Sequence, residues 1–289
     1  DSAVVMRDGA TVGARPMSQW TEAELVQAMV ARNLESFYPW EPRDYGDVVL
    51  EVRDLASAPL LRNASFKVRA GEIVGIAGIA GAGRTELLKT IFGALPATAG
   101  EIRVKGRKIS NHSPTEGVRH GLVYTSEDRK LEGLVLDASI EENIALSSLK
   151  ALATGGFVSR ARKRKLARDA STRFNVRSSS VLQVTGTLSG GNQQKVILGR
   201  ATATEPAVIM LDEPTRGIDV GAKTEIYAHM VSMARAGAAV VMVSSELPEL
   251  LGMSDRVLVM YRGSIVTEIP REKAHSEAVI QWATTGAGA

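Results

Sequence analysis

The sequence predicts an α/β protein: a mostly parallel sheet flanked by helices, with an antiparallel β part and an inserted helical subdomain. Three observations carry that expectation. Short apolar runs alternate with longer helical stretches, as strands and crossover helices do in a right-handed parallel sheet. One run, Ile73-Val74-Gly75-Ile76-Ala77, is apolar on both faces, as a central strand covered by helices requires. From about Ser126 to Thr187 such runs are missing and the chain reads as helical.

Taken in order, the chain first repeats part of its own end. Val4-Val5-Met6-Arg7-Asp8-Gly9-Ala10-Thr11-Val12 parallels Leu258-Val259-Met260-Tyr261-Arg262-Gly263-Ser264-Ile265-Val266, and Leu25-Val26-Gln27 parallels Val279-Ile280-Gln281 at the same offset. Each copy reads as strand, glycine turn, strand and short amphipathic helix. Residues 1–32 are therefore expected to be the tail of a preceding copy of the same domain. Residues 33–46, with two prolines, acidic residues and little apolar periodicity, read as a linker. A complete domain is expected over 47–289, its helical subdomain at about 126–187. Val48–Val52 and Ala64–Val68 alternate as half-buried strands; a helix is expected over Thr85–Phe92. Further strands are expected at Leu122–Tyr124, Ala207–Leu211, Ala239–Val243 and Arg256–Met260, and helices at Gly191–Ala203 and Ala222–Ala234.

Composition narrows the function classes. The 289 residues include no Cys, which excludes disulfides, thiolate metal sites and a Cys nucleophile. Thirty-five Lys and Arg against 32 Asp and Glu leave a net charge of +3, too small to argue for nucleic acid. No run approaches the ~20 apolar residues of a membrane helix. No basic-then-apolar leader opens the sequence, and a cytoplasmic protein is expected.

Chemistry concentrates in three segments. Gly78-Ile79-Ala80-Gly81-Ala82-Gly83-Arg84-Thr85, followed by Glu86, leaves a buried strand and opens a helix. It fits the phosphate loop G-x-x-x-x-G-K-[ST] with Arg84 in place of Lys. Its glycines let backbone N–H groups face an anion at a helix N-terminus, and Thr85 is placed to ligate Mg²⁺. A dinucleotide loop fits less well, because the third glycine is missing. Arg84 keeps the charge, but its planar guanidinium is not the compact point charge of Lys. The apolar run Ala207–Leu211 ends in Asp212 and Glu213; Asp212 suits the Mg²⁺ shell and Glu213 a general base. Leu188-Ser189-Gly190-Gly191-Asn192-Gln193-Gln194 precedes a helix and offers further backbone donors to an anion.

Together these segments resemble the ATP-binding domain of ABC transporters over roughly residues 47–289. Gly81–Glu86, Ser126-Glu127-Asp128-Arg129-Lys130, Leu188–Lys195 and Pro214-Thr215-Arg216-Gly217-Ile218-Asp219-Val220-Gly221 resemble more closely the second half of the tandem ATPases of bacterial ribose, galactose and xylose importers. The resemblance implies ATP and Mg²⁺ as cofactors and a P-loop NTPase core. It implies as partners the first ATP-binding half of the same chain, a membrane permease and, indirectly, a solute-binding protein, at the cytoplasmic face of the cell membrane. It implies that Gly78, Gly81, Ala82, Gly83, Arg84, Thr85 and Glu86 hold the phosphates. Ser189, Gly190, Gly191 and Gln193 would reach ATP bound by the opposite domain, and Asp219 would sit at the interface between domains. Glu127 stands where most members carry Gln, and Ser245 where most carry a γ-phosphate His. No aromatic between Asp54 and Leu61 offers an adenine platform.

Arg84, Glu127 and Ser245 thus depart from the family together, which implies a half whose own ATP turns over poorly while it serves its partner's. A soluble ABC ATPase acting on nucleic acid or ribosomes would carry long basic insertions and stacking aromatics; aromatics are only 4% here. The basic run Arg160–Arg168 reads as a solvated helix face. His112, His120, His229 and His275 are too scattered for a metal motif, and Trp282 falls on an apolar helix face.

Overall fold

The computed structural model describes residues 1–7, 10–21, 24, 25, 28, 37–110 and 113–288. Near the start, β1 (Ser2–Arg7) and β2 (Ala10–Pro16) form an antiparallel hairpin. The main sheet then collects β3 (Val48–Ser57), β4 (Leu61–Arg69), β5 (Ile73–Ala77), β6 (Ala99–Val104), β7 (Arg107–Ile109) and β8 (Leu122–Thr125), with α1 (Arg84–Phe92) and α2 (Pro114–Arg119) between them. The helical region follows: α3 (Ile140–Ala145), α4 (Leu149–Leu152), a minimal ladder of β9 (Ala153–Thr154) and β10 (Phe157–Val158), and α5 (Arg160–Arg173). Then come α6 (Gly190–Thr202), β11 (Val208–Asp212), α7 (Val220–Arg235), β12 (Ala239–Val243), α8 (Leu247–Met253), β13 (Arg256–Tyr261), β14 (Ser264–Pro270) and α9 (Ser276–Thr285).

Among the described residues ten strands form one sheet, in the order β7-β6-β3-β4-β14-β13-β5-β12-β11-β8. The half from β13 to β8 is parallel and the half from β7 to β4 antiparallel, as the alternating and continuous apolar patterns demand. β5, β11 and β12 are buried at every position. One core lies where Leu87, Leu88 and Ile91 of α1 meet the sheet; a second lies on the other face under α7, α8 and α9. Burying each such side chain stabilises by about 1.5–3 kcal/mol, so both faces of the central strands anchor the site. A third core gathers Ile140, Ile144, Ala167, Ala170, Val196 and Ile197. The helical region is therefore completed by α6, which lies beyond the 126–187 stretch.

The early hairpin reproduces β13–β14 residue for residue. Ser2 pairs Pro16 as Arg256 pairs Pro270, and the bulge between Val5 and Met6 matches the one between Val259 and Met260. The 3₁₀ turn Met17–Gln19 matches Arg271–Lys273. Gly9 and Val26-Gln27 of the repeat, residues 33–36 of the expected linker, and His112 lie outside the described residues.

Within the stretch read as a linker, residues 37–46 make specific contacts with the domain. They form a strap docked on the domain. Trp40 Nε1 and Arg43 Nη2 each donate to Asp255 at 2.6 Å, and Asp255 also accepts from Ile73 N at 2.7 Å. The Arg271 guanidinium stacks on Trp40 at 3.8 Å. Tyr38 packs on Tyr227, ring centroids 5.3 Å apart, and on Gly252, where a Cβ would lie 2.3 Å from its ring. The aromatics Phe37, Tyr38 and Trp40 were the signal that the proline count obscured.

Candidate functional site

The phosphate-type loop occupies residues 78–83, between β5 and α1. Gly81 and Gly83 take φ of 77° and 96°, the left-handed region that a Cβ disfavours. At Gly78 a Cβ would lie 2.9 Å from both Ala82 Cβ and the Met260 carbonyl, so only glycine lets the loop close onto β13. Gly83 caps α1 without any side-chain hydrogen bond, which leaves first-turn N–H groups to an anion. The turn between β3 and β4 lies alongside: a Cβ on Gly83 would stand 3.6 Å from the Leu60 carbonyl.

β11 delivers both acids to this loop, at the carboxyl end of the parallel strands where ligands of open α/β sheets sit. Asp212 is 1% exposed. Tyr124 donates to its Oδ2 at 3.0 Å, while its Oδ1 is buried without a hydrogen-bond partner. Burial raises the Asp212 pKa, against the hydroxyls of Thr85 and Tyr124, which lower it. Burial and Asp212 together push the Tyr124 phenol up, so it stays a donor. Glu213 takes φ of 48°, held by its N–H to the Val243 carbonyl at 2.9 Å. Its Oε2 accepts from Ser245 Oγ at 3.0 Å.

Arg84 does not point along the loop. Its Nη1 donates to the Ser244 carbonyl at 2.9 Å and lies 4.0 Å from Glu213 Oε1. Glu127 pairs with Arg216. Gly81–Glu86, Glu127, Glu213, Arg216 and Ser245 line one cleft of about 390 Å³. Asp212 does not line the cleft; it is buried behind it, next to Thr85 and Glu213, which do.

Ser189, Gly190, Gly191, Gln193 and Asp219 do not line that cleft. They gather where α6 meets α7. Ser189 is the N-cap of α6, and its Oγ accepts from Asn192 Nδ2 at 3.0 Å. A Cβ on Gly191 would lie 2.6 Å from Ala222 Cβ, and one on Gly190 3.3 Å from the Gly217 carbonyl, so both glycines permit close helix contact. Asp219 caps α7, accepting from Ala222 N at 2.9 Å. Gln193 is turned inward and donates to the Leu188 carbonyl at 3.2 Å; it shapes the loop from inside. Loop 213–219 runs from the cleft to this second group.

Sequence reasoning missed three members of the site. Arg216 partners Glu127, Tyr124 holds Asp212, and Ser244 supplies the carbonyl that Arg84 uses. Tyr124 alone carried a signal, as a hydroxyl on a strand beside the acids. A larger cavity of about 930 Å³ lies between α1, α2 and the helical region, lined by Lys89, Phe92, Val118, Ser126, Leu146 and Leu149 among others. Outside the cleft, the basic α5 pairs Lys163 and Arg164 with Glu141 and Lys165 with Asp169. His229 contacts the Phe174 carbonyl at 3.1 Å. Among the described residues no cluster of acidic or His side chains has metal-site geometry, and no helix is long and apolar enough to cross a membrane.

A family model described as ABC transporter matches residues 61–216, more than half of the chain. The ribose import ATP-binding protein RbsA 2 of Streptomyces avermitilis is 44% identical over 98% of this chain and 56% of its own length. A putative ribose/galactose/methyl galactoside import ATP-binding protein of Rhizobium etli is 44% identical over 99% of this chain and 55% of its own. A ribose import ATP-binding protein RbsA of Bacillus cereus is 43% identical, over 99% and 58%. The chain thus spans little more than half the length of the curated relatives it matches. Among solved structures, a nucleotide-free ATP-binding cassette from an ABC transporter superposes with a TM-score of 0.67 at 23% identity, covering 78% of this chain and 93% of that one. At that identity the likeness speaks for the fold, an α/β P-loop core with an antiparallel part.

Proposed function

The chain belongs to the ABC transporter family, and from that premise we propose that it binds and hydrolyses Mg-ATP to power a membrane importer of ribose, galactose or similar small polar solutes. The observation that carries the reading is that Gly81–Thr85 and Glu213 line one cleft, with Asp212 buried against Thr85 behind it. The relatives, ribose and ribose/galactose/methyl galactoside import ATP-binding proteins, support the choice of solute.

Asp212 fits a cation. Its Oδ1 is buried and unpartnered beside Thr85, which is the donor set a hard divalent ion takes through oxygen and water. Thr85 and Asp212 would hold Mg²⁺, which when bound neutralises charge on the β- and γ-phosphates. The N–H groups of Gly81–Thr85 orient the phosphates. Glu213, fixed by its backbone and by Ser245, accepts the proton of the attacking water.

Arg84 supports a weak site. Its guanidinium is spent on the Ser244 carbonyl and on Glu213, so the phosphates lose a cation and the base is paired. Exposed Ser189, with half-buried Gly190 and buried Gly191 behind it, lies away from that cleft, and this segment would serve the nucleotide of a first ATP-binding half. Residues 1–32 are read as the tail of that half. Val4 and Met6 of the hairpin are 60% and 62% exposed, whereas the matching Leu258 and Met260 are buried in the sheet at 1% and 0%. The hairpin has the face of an inner strand pair without its neighbours. The 930 Å³ groove, with Leu146 and Leu149 on its rim, is where a permease segment would dock, holding the chain at the cytoplasmic face of the membrane.

Calorimetric titration of Mg-ATP with phosphate release followed in the same sample tests the reading. Binding with slow release is expected. Absence of binding heat in both this chain and the full tandem protein would overturn it.

A further inference from the structure

Glu249 is buried on α8, 1% exposed, and does not touch the cleft. Two hydroxyls from separate loops hold its carboxyl. Thr215 Oγ1 donates to Oε1 at 2.9 Å, and Ser244 Oγ donates to Oε2. Ser244 Oγ in turn accepts from Glu246 N at 3.0 Å. Burial raises the Glu249 pKa; the Ser244 and Thr215 hydroxyls and Lys223 lower it, and Glu246 raises it. Tyr227 of α7 and Tyr38 of the strap close the surroundings, and burial beside Glu249 pushes the Tyr38 phenol up to about 12. A carboxyl kept in such a place is expensive unless it is hydrogen-bonded, and both of its oxygens are.

Each partner leads to a functional group. Thr215 sits in loop 213–219, which begins at Glu213. The far end of that loop places the Gly217 carbonyl 3.3 Å from Arg129 Nη2 and 3.3 Å from a Cβ on Gly190; Ile218 Cγ2 lies 3.7 Å from one on Gly191. Ser244 precedes Ser245, which bonds Glu213, and its carbonyl holds Arg84.

We propose that Glu249 is a positioning residue: it ties loop 213–219 to the 244–246 turn, so that Glu213 and Ser245 keep their mutual geometry and a displacement at Ser245 is passed to the Ser189–Gly191 segment. The proposal rests on the reading of the cleft as a nucleotide site. Physically it is a contiguous set of hydrogen bonds with one buried node, through which the two groups share a single geometry.

Amide hydrogen exchange in the full chain, without nucleotide, tests the tie from both ends. Thr215→Val removes the hydroxyl and keeps the shape; Thr215→Ser keeps the hydroxyl. Thr215→Val is expected to speed exchange of the Glu246 amide, across the node, by about tenfold or more. Ser244→Ala is expected to do the same to the Ile218 amide, which donates to the Thr215 carbonyl at 3.2 Å. Amides of β5 and β12 should keep wild-type rates, and Thr215→Ser should behave as wild type. Effects confined to the substituted loop, or Thr215→Ser behaving as Thr215→Val, would overturn the proposal. Mg-ATP calorimetry on the wild-type chain separates the two readings: absent heat there fails the nucleotide site and leaves the exchange result to judge the tie.

Discussion

Replacing Arg84 with Lys tests the weak-site reading most directly. In the structure Arg84 Nη1 donates to the Ser244 carbonyl at 2.9 Å and stands 4.0 Å from Glu213, with side chains only 14% and 9% exposed. A charge-assisted hydrogen bond in such a setting contributes about 1.5–3 kcal/mol. Lys is shorter and carries one nitrogen, so it cannot keep the carbonyl and the carboxylate together. The nucleotide-free domain should lose about 1–2 kcal/mol, or roughly 2–8 °C in Tm for its size. The freed ammonium should return to the phosphates and tighten Mg-ATP binding by about tenfold, the factor that about 1.4 kcal/mol supplies. Thermal unfolding without nucleotide and calorimetry with Mg-ATP measure the two effects on one preparation. Weaker binding in Arg84→Lys would show that Arg84 is itself a phosphate ligand. Unchanged Tm and unchanged affinity would show that the Ser244 and Glu213 contacts carry no energy. Either result refutes the argument.

Other substitutions probe other parts. Asp212 has its folded-state pKa raised above 3.8 by burial, so the native state holds the proton longer and stability falls as pH rises from 3.8 through the raised value. Asp212→Asn should therefore unfold at higher temperature than wild type near neutral pH, with the gap closing as pH drops toward 4, and excess Mg-ATP should reverse the order; a gap that ignores pH would sink the account. Asp255→Ala strips acceptors from Trp40, Arg43 and the Ile73 amide around a guanidinium only 7% exposed, and should cost about 3–5 kcal/mol in urea unfolding with fresh proteolysis within 37–46. A loss below about 1 kcal/mol would mean that the strap is not docked in solution. In the tandem protein proposed above, Ser189→Arg should abolish ATP hydrolysis while Glu213→Gln reduces it far less; equal losses would remove the asymmetry.

The parallel half of the sheet was legible because burial on both faces leaves no choice of residue. Ile73–Ala77 and Ala239–Val243 end where the apolar runs end. The antiparallel edge was harder: β6 and β7 carry Glu101, Arg103 and Lys108, which pair with one another on the exposed side and hide the alternation. The glycine loop at 78–83 could be placed from spacing alone, since glycine is dictated by φ and by the closeness of Met260, and so could the two acids after the apolar run of β11. Where the side chains turn could not. Gln193 shares its segment with Ser189 yet faces inward, and Arg84 swings to Ser244 just after β12, far away in sequence. The docking of the strap was not legible because proline and acidic content say nothing of a partner surface, while three aromatics in four residues spoke for one that only the fold supplies.

That strap changes how force and position pass along the chain. Ten freely jointed residues would let their ends wander by roughly 18 Å, on the scaling of 5–6 Å per square root of chain length. Residues 37–46 instead leave the domain no such slack. Tyr38 is seated on Gly252 of α8 and on Tyr227, and Trp40 and Arg43 on Asp255. The segment therefore acts as a rivet rather than a tether: insertions within it, normally tolerated between domains, should break its seating on Asp255 and Tyr227.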